Sequence, residues 1–232
     1  LALYAIPIHV AIAYKIPLIF LGENPLYTIG QQEGKSQGGN ASGMRYSHTL
    51  QGGSPESLMS NDITRRDTFF YRYPSDDDIE YANLKIIYIG YYIPDWSELN
   101  NAKFSIERGL QTRNDTPERT GQLYSFTSLD EDFYPVNQMI KYIKFGFGAT
   151  TDQVCGAINQ GIMDRKKGFE LVKKYDGQCG QSYIDSFCKY IGISHEEFWK
   201  LVESCRNHHF FEKDTNGKWK LKAEFPPNLT DL

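Results

Sequence analysis

Apolar side chains in the first hundred residues form short runs separated by long polar stretches. Residues 5–15 are mostly apolar and predict a short helix with Pro7 in its first turn. Two largely apolar runs follow, IPLIFL at 16–21 and KIIYIGYY at 85–92. Runs of this kind are typical of strands that are buried on both faces of a parallel sheet. The pattern therefore predicts an α/β arrangement in this part of the chain.

The segments between these runs predict helices and one long loop. We expect helices around 63–73 and 75–82, and another in PDWSELNNAKFSIERGL that ends near Gly109. Residues 30–62 are rich in Gly, Ser, Asn and Gln, which is typical of a mobile surface loop or lid. Residues 110–132 predict an extended polar connection.

Beyond residue 134 the spacing of apolar positions is helical, and the expected helix starts are marked. Thr150 with Gln153 has the spacing of a capping box, and Ser194 with Glu197 repeats it. In such a box each side chain accepts a hydrogen bond from the other residue's backbone N–H. Both pairs therefore predict the first turn of a helix.

The ends of these helices and the last element are also marked by glycine. Gly177 and Gly192 stand where helix C-caps are expected, and Asn-Gly at 216–217 predicts the turn of a hairpin. We therefore predict two parts. Residues 1–133 form an α/β nucleotide-binding part, and residues 134–232 form a helical region that ends in a hairpin.

Composition excludes several classes of protein. Of the 232 residues, 40% are hydrophobic and 23% charged, the formal net charge is −4, and no apolar run is long enough to cross a membrane. The charges are spread along the chain and give no electrostatic footprint for wrapping nucleic acid, which disfavours such a partner but leaves a local basic patch open. No cysteine pair has C-x-x-C spacing, so we expect reduced thiols in a soluble, cytoplasmic protein. The cysteines are Cys155, Cys179, Cys188 and Cys205.

The stretch GQQEGKS at 30–36 resembles a Walker A phosphate loop but has three residues between its glycines, where the motif needs four. It also runs into QGGNASG, which favours a turn and not a helix. We expect a surface loop that binds no phosphate.

The tetrapeptide GENP at 22–25 follows the first apolar run, at the strand end where open α/β sheets bind ligands. Gly22 permits close approach of a ligand to the backbone, and Glu23 supplies a carboxylate beside Asn24. The alternative for Glu23 is a helix cap or a solvated turn.

A second candidate is YIKFGFGATTD at 142–152. Lys144, the flexible Gly146 and Gly148, and the free N–H groups of a new helix suit a phosphate or a carboxylate. An ordinary helix–helix corner with a surface lysine explains the same residues equally well.

A polar segment between these candidates contains Arg113, Arg119, Tyr124 and Asp130. Arginine can bind phosphate or carboxylate oxygens with two hydrogen bonds, and an aspartate can bind a metal ion or a sugar hydroxyl. Solvated side chains or surface salt bridges are the alternative for each residue.

Four blocks, IPLIFLGENPLY, ERTGQLYSFTSLDED, IKYIKFGFGATTD and FELVKKYDG, occur in an order and at a spacing that resembles the C-terminal two-thirds of the N-acetyl sugar amidotransferases. That family belongs to the PP-loop ATP pyrophosphatase superfamily. The resemblance implies a truncated PP-loop, Rossmann-like α/β fold with a parallel sheet, of the adenine nucleotide alpha hydrolase type, followed by a helical C-terminal region.

The resemblance also implies a reaction. Members of this family convert the acetamido group of a nucleotide-linked sugar to an acetamidino group in bacterial surface polysaccharide or flagellin glycan biosynthesis. They use ATP, Mg²⁺ and ammonia, and the ammonia comes from glutaminase and cyclase-like partner subunits. No nucleic acid or membrane takes part.

Carried onto this sequence, the resemblance implies three groups of site residues. Glu23, Asn24 and Asp130 are the expected catalytic residues, and Lys144, Gly146 and Gly148 are expected to hold phosphate. Arg113, Arg119 and Tyr124 are expected to bind the sugar nucleotide.

The sequence departs from this family at several points. The Ser-Gly-Gly-x-Asp-Ser loop of the superfamily is absent, and the apolar pattern is already under way at Leu1, so we expect the chain to begin inside a domain. Ala149 and the region of Asn159 lack arginines that the family carries. Two other functions stay open: a tRNA-modifying PP-loop enzyme, and a non-catalytic module that binds sugar or protein.

Overall fold

The structure is a computed structural model and describes residues 2–22, 39–46 and 54–222. The candidate residues Glu23 and Asn24 lie outside these ranges. The chain divides into two compact units, Leu1–Asn101 (unit 1) and Ala102–Leu232 (unit 2). The division into residues 1–133 and 134–232 remains a prediction.

Unit 1 is built on a pair of parallel strands. It contains helices α1 (Ala2–Tyr14) and α2 (Asp76–Tyr81) and strands β1 (Leu18–Leu21) and β2 (Lys85–Tyr88). The strands pair in register from Leu18 opposite Lys85 to Leu21 opposite Tyr88. Buried side chains of α1 pack on one face of this sheet together with Ile86 and Tyr88. The α/β character and the parallel pairing that the sequence predicted are confirmed.

Two details of this region differ from the prediction. Helix α1 begins at Ala2, so Pro7 lies inside the helix and not in its first turn. Leu18 and Phe20 of β1 are 36% and 56% exposed, so the strand is not buried on both faces. Alternate residues of a strand point to opposite faces, and Ile19 and Leu21 are the pair that packs against the core.

Part of the predicted surface loop belongs to the core of unit 1. Ala41 and Met44 are buried, and Asn40 forms an antiparallel bridge with Ile87 of β2. The Ala41 N–H donates to the carbonyl of Ile86 at 2.9 Å. For residues 39–46 the prediction of a mobile loop was therefore wrong, because residues 39–41 pair with β2 and Met44 of the following 3₁₀ turn is buried.

The helix predicted around 63–73 is also absent from the described structure, where turns lead to a 3₁₀ turn at Phe69–Tyr71. The Asp67 carboxylate accepts hydrogen bonds from the N–H and the hydroxyl of Thr64, at 2.9 and 2.6 Å. The helix expected at 75–82 forms as α2, and Ser75 and Asp78 close its capping box.

Unit 2 is mainly helical. Helix α3 (Glu98–Ile106) spans the division between the units, and α4 is a short helix at Pro117–Thr120. The remaining elements are α5 (Tyr134–Phe145), α6 (Ala149–Asn159), α7 (Arg165–Tyr175), α8 (Gln181–Ile191), α9 (His195–Ser204) and the antiparallel strands β3 (Phe211–Lys213) and β4 (Trp219–Leu221). Buried side chains of α5, α8 and α9 form one core cluster. The helical region and its terminal hairpin are thus confirmed.

Most helix ends of unit 2 follow the sequence signals. Ser194 and Glu197 form the predicted capping box, and Gly192 is the left-handed C-cap of α8. Gly177 takes a left-handed conformation directly after Asp176, the C-cap of α7. All four cysteines lie in the described part of the chain and are free thiols. No helix in the described residues has the length and apolar character that crossing a bilayer requires.

Candidate functional site

The glycine-rich turn predicted as a phosphate site joins α5 to α6. Helix α5 ends at Gly146, whose φ of +79° is the left-handed conformation that glycine adopts without strain. Gly148 is the N-cap of α6, and no side chain of its own turn caps this helix. The turn therefore exposes the N–H groups of a helix start to whatever packs against it.

The carboxylate of Asp176 occupies this helix start. It accepts hydrogen bonds from the N–H of Gly148 at 2.8 Å, of Thr150 at 3.1 Å and of Thr151 at 3.4 Å. The Thr151 hydroxyl donates to it at 2.6 Å. Asp176 follows the last residue of α7, so a carboxylate from the next helix acts as the cap of α6. A negative charge at this position also interacts favourably with the helix dipole.

Asp176 is only 9% exposed, and its surroundings act on its pKa in two directions. Burial disfavours the charged form and raises the pKa, while the hydrogen bonds from Thr151, Gly148 and Thr150 lower it. Burial is the larger influence, so the pKa lies above that of a solvated aspartate.

The close approach of Asp176 explains why residue 148 is glycine. A Cβ on Gly148 would lie 2.9 Å from Oδ1 of Asp176 and 3.2 Å from the carbonyl oxygen of Gln138. These contacts also mean that the start of α6, as folded, does not fit a phosphate group. Its N–H donors already bind a carboxylate inside the same unit. The roles of Gly146 and Gly148 in phosphate binding remain predictions.

Lys144 is exposed and lies near the turn. Its Nζ is 5.3 Å from the centre of the Phe145 ring, and it forms no ion pair with the described residues. Lys141, one turn earlier, instead pairs with Asp152 of α6 and lies 4.6 Å from the ring centre of Phe147. Lys144 is therefore the lysine of this corner that is available to an external anion.

Thr150 and Gln153 do not form the predicted capping box. The Thr150 hydroxyl donates to the carbonyl of Gly121 at 2.9 Å, and Oε1 of Gln153 accepts from the N–H of Leu123 at 2.7 Å. Nε2 of Gln153 donates to Thr127 at 3.1 Å. The prediction was wrong because both side chains bind the 121–127 segment and not their own helix.

Arg113 holds the following segment together. Its guanidinium donates to the Asp132 carboxylate and to the carbonyls of Ser128 and Glu131, each at 2.7 Å. Its side chain is 16% exposed, and the ion pair with Asp132 raises its pKa. These contacts give Arg113 a structural position, and its binding of the sugar nucleotide remains a prediction.

Arg119 belongs to a second polar cluster. Its guanidinium donates to Asp115 at 2.6 Å and to the Ser182 hydroxyl at 3.0 Å, while its side chain stays 53% exposed. The other carboxylate oxygen of Asp115 accepts from the Tyr183 hydroxyl at 2.5 Å. Burial and the bond to Asp115 raise the pKa of Tyr183. An exposed guanidinium held in place by a carboxylate is suited to binding an anion.

The two remaining predicted residues are less enclosed. The Tyr124 ring stacks on Phe126 with a centroid distance of 5.0 Å and an angle of 14° between the planes. Asp130 is exposed. Among the described residues, no group of three or more His, Cys, Asp or Glu side chains could hold a metal ion. Mg²⁺ in phosphate-transfer sites is usually held by one or two carboxylates together with substrate phosphates, so its use by this protein stays a prediction.

A cavity of about 560 Å³ adjoins the α5–α6 turn. One face of α6, one face of α7, the turn at 145–147, and the residues Phe210 and Leu221 enclose it. Its walls are mostly apolar, with Asn159 and Arg165 among the few polar side chains. Its size falls in the range of about 300–1,000 Å³ that is typical of small-molecule sites.

Arg119 and the glycine turn were predicted from the sequence, whereas Asp176, Asp115, Tyr183 and Arg165 were not. Asp115 and Arg119 are four residues apart, which is the spacing of a helical ion pair and could have been noticed. No local signal connects Asp176 with Gly148, since 28 positions separate them.

Residues 120–225 match the family described as "LPS biosynthesis protein WbpG-like, C-terminal domain". The matched region includes the start of α6 with Asp176 and every residue that lines the cavity. A search of curated proteins found no match. Over this region the chain is therefore similar to proteins of lipopolysaccharide biosynthesis, which supports a role in that process.

Proposed function

We propose that this protein is an ATP-dependent amidotransferase of surface polysaccharide biosynthesis. It converts the acetamido group of a nucleotide-linked sugar to an acetamidino group. The proposal rests on the match of residues 120–225 to a lipopolysaccharide biosynthesis family, together with the four sequence blocks that resemble N-acetyl sugar amidotransferases. The parallel pairing of β1 with β2 supports a PP-loop, Rossmann-like sheet as part of the same proposal.

The reaction overcomes the poor leaving ability of an amide oxygen. The amide oxygen attacks the α-phosphorus of ATP and pyrophosphate leaves, which gives an adenylyl imidate. Ammonia then adds to the imidate carbon, and AMP departs with the former amide oxygen. Ammonia comes from glutaminase and cyclase-like partner subunits. The protein contributes by orienting the reactants and by stabilising the developing charge.

Within the described residues, Arg119 and Lys144 are the predicted residues best suited to binding an anionic substrate. Arg119 is exposed and oriented by Asp115, and Lys144 has no ion pair with described residues. Asp130 and Tyr124 lie on the same segment as Arg113, and Glu23 with Asn24 completes the proposed catalytic set. Mg²⁺ stays part of the proposal with no step assigned to it, since such an ion is commonly held by one or two carboxylates and the phosphates of the substrate.

The fate of the amide oxygen tests the reaction. The complete gene product that contains this chain is incubated with ATP, Mg²⁺, ammonium chloride and a panel of nucleotide-linked N-acetyl sugars whose acetamido oxygen carries a heavy isotope. We expect AMP to acquire the label, as mass spectrometry can detect. Unlabelled AMP would indicate simple ATP hydrolysis and contradict the proposal. Binding of a sugar nucleotide without any AMP would favour the non-catalytic binding module.

A lysine variant tests the phosphate-binding role. Lys144→Ala should raise the KM for ATP about tenfold, which corresponds to the loss of one charge-assisted hydrogen bond of about 1.4 kcal/mol. Lys173→Ala removes the same charge from an exposed position of α7 and is the matched control. An unchanged KM for ATP in Lys144→Ala would exclude Lys144 from the phosphate site.

A further inference from the structure

The cavity of unit 2 lies between one face of α6 and one face of α7. Helix α6 contributes side chains at helical spacing, namely Thr151, Val154, Cys155, Ile158 and Asn159. Helix α7 contributes Arg165, Phe169 and Val172, again at the spacing of one face.

We propose that this cavity binds a nucleoside phosphate, with the base among the phenylalanine rings and the phosphate at Arg165. The cavity adjoins the start of α6 through Thr151, but the N–H donors of that helix start are bound to Asp176. It would give the protein a nucleotide contact within the helical unit.

The walls suit a planar base. Phe145, Phe147, Phe169 and Phe210 all line the cavity, and the rings of Phe145 and Phe147 lie 6.3 Å apart at an angle of 41°. Phe145 and Phe147 are 51% and 40% exposed, so both retain ring surface that a ligand could cover. Stacking of a base on an aromatic side chain contributes about 1–3 kcal/mol and tolerates different bases.

The polar side chains of the cavity suit the remaining groups of a nucleotide. Arg165 is the first residue of α7, is exposed, and forms no ion pair with the described residues. Its guanidinium can therefore offer two parallel hydrogen bonds to phosphate oxygens. Asn159 supplies both a donor and an acceptor, which match the edge of a base.

Lys166 is a control that separates the position of Arg165 at the cavity from its positive charge. Both residues are exposed cations in the first turn of α7, but only Arg165 lines the cavity. The dipole of α7 favours anions equally near both residues. A ligand in the cavity should therefore depend on Arg165 and be indifferent to Lys166.

Cys155 provides a direct measure of occupancy. It is exposed and lines the cavity, whereas the exposed Cys205 does not. The intact protein is alkylated with iodoacetamide in the presence of UDP, ADP, octyl phosphate or inorganic phosphate, and mass spectrometry follows each cysteine. At a nucleotide concentration of ten times Kd, we expect alkylation of Cys155 to slow by about tenfold. Alkylation of Cys205 should not change.

The probes distinguish the sources of the ligand. If UDP protects Cys155 from alkylation, the occupant is the uracil nucleotide part of a sugar nucleotide. If ADP protects Cys155, the occupant is the adenine nucleotide part of ATP. If neither nucleotide protects Cys155, the proposal is wrong. Equal protection by octyl phosphate would overturn the assignment of a nucleoside, and protection by inorganic phosphate alone would overturn the role of the phenylalanine rings.

Two variants test the phosphate contact. Arg165→Ala should abolish the protection of Cys155, while Lys166→Ala should preserve it. Full protection of Cys155 in Arg165→Ala would contradict the proposed contact between Arg165 and the phosphate. The inference rests on the proposed function in its choice of UDP and ADP, but alkylation reports occupancy and not turnover. Protection of Cys155 without labelled AMP would support the nucleotide site and contradict the proposed reaction. Labelled AMP without protection of Cys155 would support the reaction and contradict the nucleotide site.

Discussion

Helices α6 and α9 begin with the same kind of sequence signal and are capped in different ways. At α9, Ser194 and Glu197 bind each other's backbone N–H groups, as the sequence predicts. At α6, Thr150 and Gln153 have the same spacing, but the cap is the carboxylate of Asp176, 26 positions beyond Thr150. One helix start is completed by its own turn, and the other only when α7 packs against it.

This difference bears on function as well as on folding. A helix start with free N–H groups and a neighbouring lysine suits a phosphate, which is how the glycine turn at 146–148 was interpreted. Because Asp176 binds these N–H groups, an external anion would have to displace a carboxylate from its hydrogen bonds. The negative charge that the helix start attracts is supplied by the protein itself.

Removal of Asp176, the cap that α6 receives from the end of α7, should have the largest effect on the free energy of unfolding. Asp176→Ala leaves the buried N–H groups of Gly148 and Thr150 without an acceptor, so we expect the free energy of unfolding to fall by about 3 kcal/mol. Urea denaturation measures this change. Asp164→Ala removes the local cap of α7, which binds the Lys167 N–H, and should cost only about 1 kcal/mol. Equal losses in the two variants would mean that Asp176 is no more than an ordinary cap.

The glycine beside the cap should be the next most sensitive position. A Cβ at residue 148 would lie 2.9 Å from Asp176, so Gly148→Ala must move the carboxylate and should destabilise by about 2 kcal/mol. Gly156→Ala is the matched control in the same helix, where a Cβ meets nothing within 4 Å. That control should stabilise by about 0.5–1 kcal/mol through helix propensity. Thermal unfolding of both variants should thus give shifts of opposite sign.

The local cap should respond more weakly. Ser194→Ala removes the hydroxyl that accepts from the Glu197 N–H at 3.2 Å, and we expect a loss of about 1 kcal/mol. Ser186→Ala, at an exposed position of α8, is the control and should change the free energy of unfolding by less than about 0.5 kcal/mol. A loss as large as that of Asp176→Ala would remove the distinction between the two caps.

Features whose hydrogen-bond partners lie within one turn of the chain could be predicted from the sequence. Ser194 and Gly192 were assigned because their hydrogen bonds depend on neighbouring positions. The strands β1 and β2 were found from their apolar runs, but the exposure of Phe20 depends on what packs against the sheet. The helix expected at 63–73 does not form, and turns lead there to the 3₁₀ turn at Phe69–Tyr71.

The candidate site was predictable only in part for the same reason. The glycine turn and Arg119 are visible in the sequence, since flexible and charged residues stand out there. Asp176 is one acidic residue among many until the fold brings it to Gly148. Arg165 and Phe169 have the spacing of one face of α7, which the sequence shows. The cavity forms only because that face packs opposite a face of α6, which the sequence does not show.

The two caps should finally respond to pH in opposite directions, and this is the smallest expected effect. Burial raises the pKa of Asp176, so the pH-dependent part of its contribution to stability is full below the unfolded pKa of about 3.9 and is lost as the pH rises through the folded pKa, while its hydrogen bonds to the N–H groups of α6 remain. Hydrogen bonds from Ser194 lower the pKa of Glu197, so its contribution is present above about 4.3 and is lost as the pH falls through the folded pKa. Urea denaturation of Asp176→Asn and Glu197→Gln against the parent protein, from about pH 3 to about pH 7, isolates each group. With rising pH the stability advantage of the parent should shrink relative to Asp176→Asn and grow relative to Glu197→Gln; the same slope in both would contradict the opposed electrostatics of the two helix starts.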